Sequence, residues 1–117
     1  MRSDKTHMAL IDIQDNIARA TRFVHGLDLD SFLADDKTFY AVTRCLEIIS
    51  EASRRLPASL REKHAALPWK QIMGVGNIYR HNYDNVQENI VWATVHGHLA
   101  PLLAVVVAEI AEFEAGS

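Results

Sequence analysis

Between Leu10 and Val24 the positions Leu10, Ile13, Ile17, Thr21 and Val24 recur at steps of three and four, the period of one helix face. Gly26 follows where a left-handed residue commonly ends a helix, and Asp28-Leu29-Asp30 breaks the periodicity. Residues 26 to 36 therefore read as a connector. Asp35 and Asp36 then stand where carboxylates satisfy the free N–H groups of a helix start. Val42, Cys45, Leu46, Ile49, Ala52 and Leu56 share one face of this second helix, and Pro57 stops it. Ser59 and Glu62 have the spacing of a reciprocal capping box, which predicts a short third helix from Ser59 to near Ala66. Pro68 suits the first position of a fourth, because its missing N–H would have no partner there. Trp69, Ile72, Met73 and Tyr79 give that helix a partly apolar side. A last segment carries Val91, Val95, Leu99, Leu102, Val106, Ile110 and Phe113 at helical steps. Pro101 inside it predicts a kink, since its ring removes one hydrogen bond and crowds the preceding turn. No strand alternation or internal repeat is present. The pattern predicts an all-α fold, an antiparallel bundle of four main helices with one extra short helix.

Composition narrows this picture. A chain of 117 residues, 49% hydrophobic, is long enough for one domain over residues 1–117 and for an ordinary core. The apolar run from Leu102 to Ala108 is far shorter than the roughly 20 residues a bilayer span needs, so no membrane is expected. The start, Met1-Arg2-Ser3-Asp4-Lys5-Thr6-His7, has no apolar run of the signal-peptide kind, and the expectation is a cytoplasmic protein. A single cysteine, Cys45, excludes an internal disulfide and any Cys-x-x-Cys site, and its place on an apolar face makes it core. With 12 basic and 15 acidic residues the net charge is -3, which argues against coating nucleic acid by charge alone. RNA would have to be met at a local patch, and a dimer could gather Arg54, Arg55, Lys70 and Arg80 into one basic groove.

The densest polar cluster runs from Gly74 to Asn85, GVGNIYRHNYDN. Two glycines in a helix cost roughly 1 kcal/mol each against alanine, so something other than core packing shapes this stretch. Asn77 and His81 are four apart and share a face, Asp84 follows three further on, and Tyr83 lies two beyond His81. A histidine with an ordinary pKa of about 6.5 can serve as general base or acid near neutral pH. The same residues also suit a helix C-terminus with a dipole-friendly histidine and an Asn-rich stop. Elsewhere His96 and His98, two apart, point to nearly opposite sides of a helix and form no metal pair. His7, His25 and His64 have no neighbouring ligand pattern. Asp28, Asp30, Asp35 and Asp36 lack the glycine and terminal glutamate of an EF-hand loop, so neither a metal nor a cofactor is expected.

Pro68-Trp69, Ile72-Met73-Gly74, then Asn77, His81, Tyr83, Val86 and Ile90-Val91-Trp92 together resemble the signature of the HepT-like ribonuclease toxins of the HEPN superfamily. Phe32 to Lys37, Ala41-Val42, Leu46 to Ile49 and Glu51 to Leu56 resemble that family's second-helix region, so the likeness covers roughly residues 8 to 110. The resemblance implies a HEPN-like helical domain, dimeric, that cleaves RNA without a metal as the toxin of a type VII-like toxin–antitoxin pair. It also implies a cognate minimal nucleotidyltransferase antitoxin that silences the toxin by adenylylating Tyr83, setting bulk and negative charge beside the histidine.

The family's motif is Arg-Asn-x-x-x-His-x-Tyr. Asn77, His81 and Tyr83 fill its last three named positions, and Gly76 stands where the arginine is expected. In metal-free RNA cleavage the ribose 2′-hydroxyl attacks the neighbouring phosphate. A base must take its proton, which His81 can do, and a cation must neutralise charge growing on the phosphate oxygens. Arginine's planar fork matches two such oxygens, whereas Gly76 offers no side chain. Arg80 precedes His81 by one residue and so points about 100° away around a helix, although in a dimer it could reach the partner's site. Three readings follow: a working ribonuclease in which another group replaces the arginine, an inactive module that keeps only affinity for nucleotide, RNA or a partner, or a purely structural helical dimer whose polar cluster merely ends a helix.

Overall fold

The computed structural model describes residues 4–74 and 86–116, and all the structure described among them is helix and turn. Seven helices succeed one another: α1 (Asp4–Val24), α2 (Leu29–Leu33), α3 (Asp36–Arg54), α4 (Ala58–Lys63), α5 (Trp69–Gly74), α6 (Val86–Gly97) and α7 (Leu99–Gly116). The all-α class agrees with the hydrophobic pattern. The number of elements differs, because one connector folds and one long segment divides.

Helix α3 is central. It packs along α1 on one side and against α5 on another, with α2 and α6 closing the rest, while α7 lies on α1. An ion pair links α1 and α3: Arg55, just past the end of α3, reaches Asp12 in the first half of α1 at 3.0 Å. The apolar positions read from spacing are the core, with Leu10, Ile13, Ile17, Val42, Leu46, Ile49, Leu102 and Val106 all sealed from solvent. Cys45 is buried among them, and burial pushes its thiol above the usual range, which keeps it protonated and unreactive.

Local chemistry explains where the helices begin and end. Gly26 has φ +81°, the left-handed conformation expected at the end of α1. Asp35 caps α3 by accepting from Thr38 N at 3.1 Å and from the Thr38 hydroxyl at 2.7 Å, and these bonds hold its carboxyl below the ordinary value. The connector expected over residues 26–36 instead contains α2, for which Asp28 is the cap through Ser31 N at 2.8 Å. A five-residue helix is too short for periodicity to reveal, and it is held by Phe32, which is fully buried against Phe39 and Trp92. The expected capping box does not form: α4 starts at Ala58 with Pro57 as its cap residue and no side-chain cap bond, and it ends at Lys63. Pro68 stands one residue before α5, its carbonyl already accepting from Ile72 N at 3.0 Å.

The last apolar segment bends by 47° between α6 and α7. The break falls at His98, three residues ahead of Pro101. Proline has no N–H to give the carbonyl of Gly97 and its ring crowds that group, so the ladder parts there and resumes with a long Leu102 N to His98 O bond of 3.4 Å. Among the described residues no single helix is long and apolar enough to cross a membrane.

Candidate functional site

Gly76, Asn77, Arg80, His81 and Tyr83, together with Tyr79 and Asp84, lie outside the described residues. The structure instead shows the frame on either side of them: the end of α5 at Gly74, the start of α6 at Val86, and the wall of α3 against which α5 packs.

That wall is polar where α5 ends. Ser50 and Ser53 are buried on α3 within a chiefly apolar face. The Ser50 hydroxyl donates to the carbonyl of Met73, and Arg54 Nη1 donates to the same carbonyl and, at 3.0 Å, to Ser50 Oγ. The last carbonyls of a helix have no partner within it, so a hydroxyl and a guanidinium here satisfy a group that would otherwise be left open. A second guanidinium converges on the same residue, with Arg61 Nη1 at 3.1 Å from Met73 Sδ. Two cations from α3 and α4 therefore flank the last residues of α5.

Of the basic residues that a dimer could gather into one groove, Arg54 and Arg55 turn to different neighbours within the chain. Successive residues on a helix diverge by about 100°. Arg54 turns to α5 while Arg55 turns to Asp12 on α1. Lys70 is exposed on α5.

Beside this end of α5 a cavity of about 370 Å³ opens between α3, α5, α6 and α7. Its walls are chiefly apolar, from Ile49, Ile72, Ile90 and Leu102, with Gln71, Thr94 and His98 as the polar groups. His96 and His98 do diverge: His96 Nδ1 meets the Trp92 carbonyl at 2.8 Å with its ring against that indole, whereas His98 lines the cavity. Among the described residues no group of three histidine, cysteine or acidic side chains could hold a metal ion.

The arrangement that sequence reasoning missed lies behind α5. Glu109 of α7 is completely buried, and its Oε2 meets His64 Nε2 at 2.6 Å and Lys63 Nζ at 3.0 Å. Lys63 also bonds Glu112 at 2.7 Å, and its hydrogen bonds to Glu112 and then Glu109 raise its pKa. The His64 carbonyl accepts from the Trp69 indole N–H at 3.0 Å. One residue thus ties α7 to the first residue of α5. The signal was present, because an acid at position 109 interrupts the apolar stripe of Leu102, Val106 and Ile110, but its partner is 45 residues away along the chain.

Comparison with known proteins agrees with this frame. The chain is 34% identical over 94 residues to "Probable ribonuclease HepT" of Thermococcus cleftensis, covering 80% of this chain and 84% of that one. It is 36% identical over 86 residues to "Putative RNase MJ1380" of Methanocaldococcus jannaschii, covering 74% and 79%. It is 40% identical over 72 residues to "Putative RNase TTE0752" of Caldanaerobacter subterraneus, covering 62% of this chain and 64% of the relative. No solved structure matches. The model of the family described as "Ribonuclease HepT-like" matches residues 13–109, from the buried Ile13 of α1 to the buried glutamate of α7, and the chain belongs to that family.

Proposed function

We propose that this protein is a metal-independent RNA endonuclease, the toxin of a toxin–antitoxin pair acting in the cytoplasm as a homodimer. The observation that carries the reading is the family match across residues 13–109, which includes the stretch where Asn77, His81 and Tyr83 stand at the family's spacing. His81 takes the proton of a ribose 2′-hydroxyl. The freed oxygen attacks the adjacent phosphorus, the bond to the 5′-oxygen breaks, and that oxygen leaves with a proton from a protonated imidazole or water. The products are a 2′,3′-cyclic phosphate and a 5′-hydroxyl. Asn77, four residues before His81, orients the imidazole or donates to a phosphate oxygen. Tyr83 is the site at which a minimal nucleotidyltransferase partner adds an adenylyl group, and the added charge repels the phosphate of an incoming RNA.

Gly76 is the feature that decides activity, because a missing preorganised donor costs on the order of 10²–10³ in rate in other enzymes. The test is cleavage of a single-stranded RNA in the presence of chelator by the unaltered chain, His81→Ala and Gly76→Arg, each checked by circular dichroism. Cleavage by the unaltered chain that His81→Ala abolishes supports the ribonuclease reading. Cleavage by Gly76→Arg alone indicates a chain that keeps the fold and lacks the chemistry. Silence from all three refutes the nuclease and favours the binding module.

A further inference from the structure

We propose that Arg54, seconded by Arg61, forms a phosphate-binding site at the end of α5 and supplies to the RNA backbone the positive charge that Gly76 does not. The inference deepens the ribonuclease reading and rests on it for the role in cleavage, though the binding of phosphate stands without it.

Three observations carry it. Arg54 and Arg61 come from different helices yet both guanidiniums rest on Met73, one at its carbonyl and one at its sulfur. The carbonyl end of a helix favours cations, which lets two like charges gather there. Among the described residues neither meets a carboxylate, whereas Arg44 pairs with Glu47, Arg55 with Asp12, and Lys63 with Glu109 and Glu112. The described hydrogen bonds of Arg54 all run through Nη1, which leaves its remaining donors to a bidentate phosphate contact. Ser50, buried on α3, holds that nitrogen at 3.0 Å, so the fork is positioned in advance, as a charge-stabilising group must be. Finally, Gly76 follows Met73 by only three residues in the chain.

The experiment uses the full chain with Arg54→Gln, Arg54→Lys, Arg61→Gln and, as a remote control, Arg44→Gln. Binding of a fluorescent single-stranded 2′-deoxy oligonucleotide is measured by anisotropy at several salt concentrations, alongside cleavage of the matching RNA. Each phosphate that a variant no longer neutralises should lower the slope of log affinity against log salt by about 0.7. The expected result is that drop for Arg54→Gln and Arg61→Gln but not for Arg54→Lys or Arg44→Gln. Arg54→Gln should also cut RNA on the order of 10²-fold more slowly, with Gly76→Arg restoring the rate in the same chain. If the unaltered chain cuts nothing, a slope that falls only for the two glutamine variants upholds the phosphate site while the ribonuclease reading fails. An unchanged slope and rate in Arg54→Gln overturn the proposal, as does an equal fall for Arg44→Gln. Arg54→Lys guards against misfolding, since it keeps the charge and a donor for the Met73 carbonyl.

Discussion

Replacing Phe32 with alanine tests whether α2 is part of the core or a turn lying upon it. Phe32 is fully buried, with its ring 5.2 Å from that of Trp92 and 6.3 Å from that of Phe39, both within the range of favourable aromatic pairs. Deleting a buried phenyl group costs about 3–5 kcal/mol, from forfeited transfer energy and the cavity left behind. Here the lower end applies, because α2 has only five residues and can settle into part of the space, and Trp92 is itself half-buried. A loss of about 3 kcal/mol is a large share of the roughly 5–15 kcal/mol that holds a typical domain together. Equilibrium urea unfolding followed by circular dichroism should show a midpoint lower by roughly 2 M for a slope of about 1.5 kcal/mol/M. Phe32→Leu, which keeps most of the volume, should lose less than about 1.5 kcal/mol. A loss below about 1 kcal/mol for Phe32→Ala, with the slope unchanged, would refute the enclosure of this ring between α3 and α6.

Three further outcomes are expected. Gly26→Ala should cost about 1 kcal/mol, because φ +81° strains any side chain although nothing crowds a Cβ there; Gly26→Asn should cost less, and equal losses in thermal melts would argue against the strain. Glu109→Gln, at the buried end of its ion pairs, should lose about 1–3 kcal/mol, whereas Lys63→Met, at the half-exposed end, should lose less; the reverse order in urea would show that the exposed end dominates instead. Bonds from Thr38 hold the Asp35 carboxyl below its ordinary 3.8, so its contribution is full above that pH and fades as pH falls through the lowered value. Asp35→Asn should therefore lose stability at pH 7 and show a shallower acid limb below about pH 4, which a melting series across pH would check.

What the sequence made legible was whatever repeats locally. The stripe of Leu10, Ile13 and Ile17, the face of Val42, Leu46 and Ile49, the glycine at 26 and the cap at 35 each depend on neighbours within a turn, and all stand as read. Elements held by distant partners were not legible. Phe32 is helical because Phe39 and Trp92 enclose it, and α4 starts at Ala58 without using Ser59. Pro101 did interrupt the last segment, but at His98, since the conflict lies with the carbonyl one turn earlier. At the candidate site, Asn77, His81 and Tyr83 could be named from spacing and resemblance, and they lie outside the described residues. Arg54 and Arg61 could not be singled out, because only the packing of α3 and α4 against α5 brings both to Met73.

The tie between His64 and Glu109 also sets an order in time. Helices of six residues such as α4 and α5 are not stable alone, since starting a helix fixes several residues for a single bond. Their placement waits on tertiary anchors, and one of these is the glutamate of α7, the last helix to be made among those described. During synthesis, then, the start of α5 at Trp69 lacks this anchor until Glu109 has been made. Chains shortened to end before Glu109 should leave the Trp69 indole exposed and its fluorescence red-shifted.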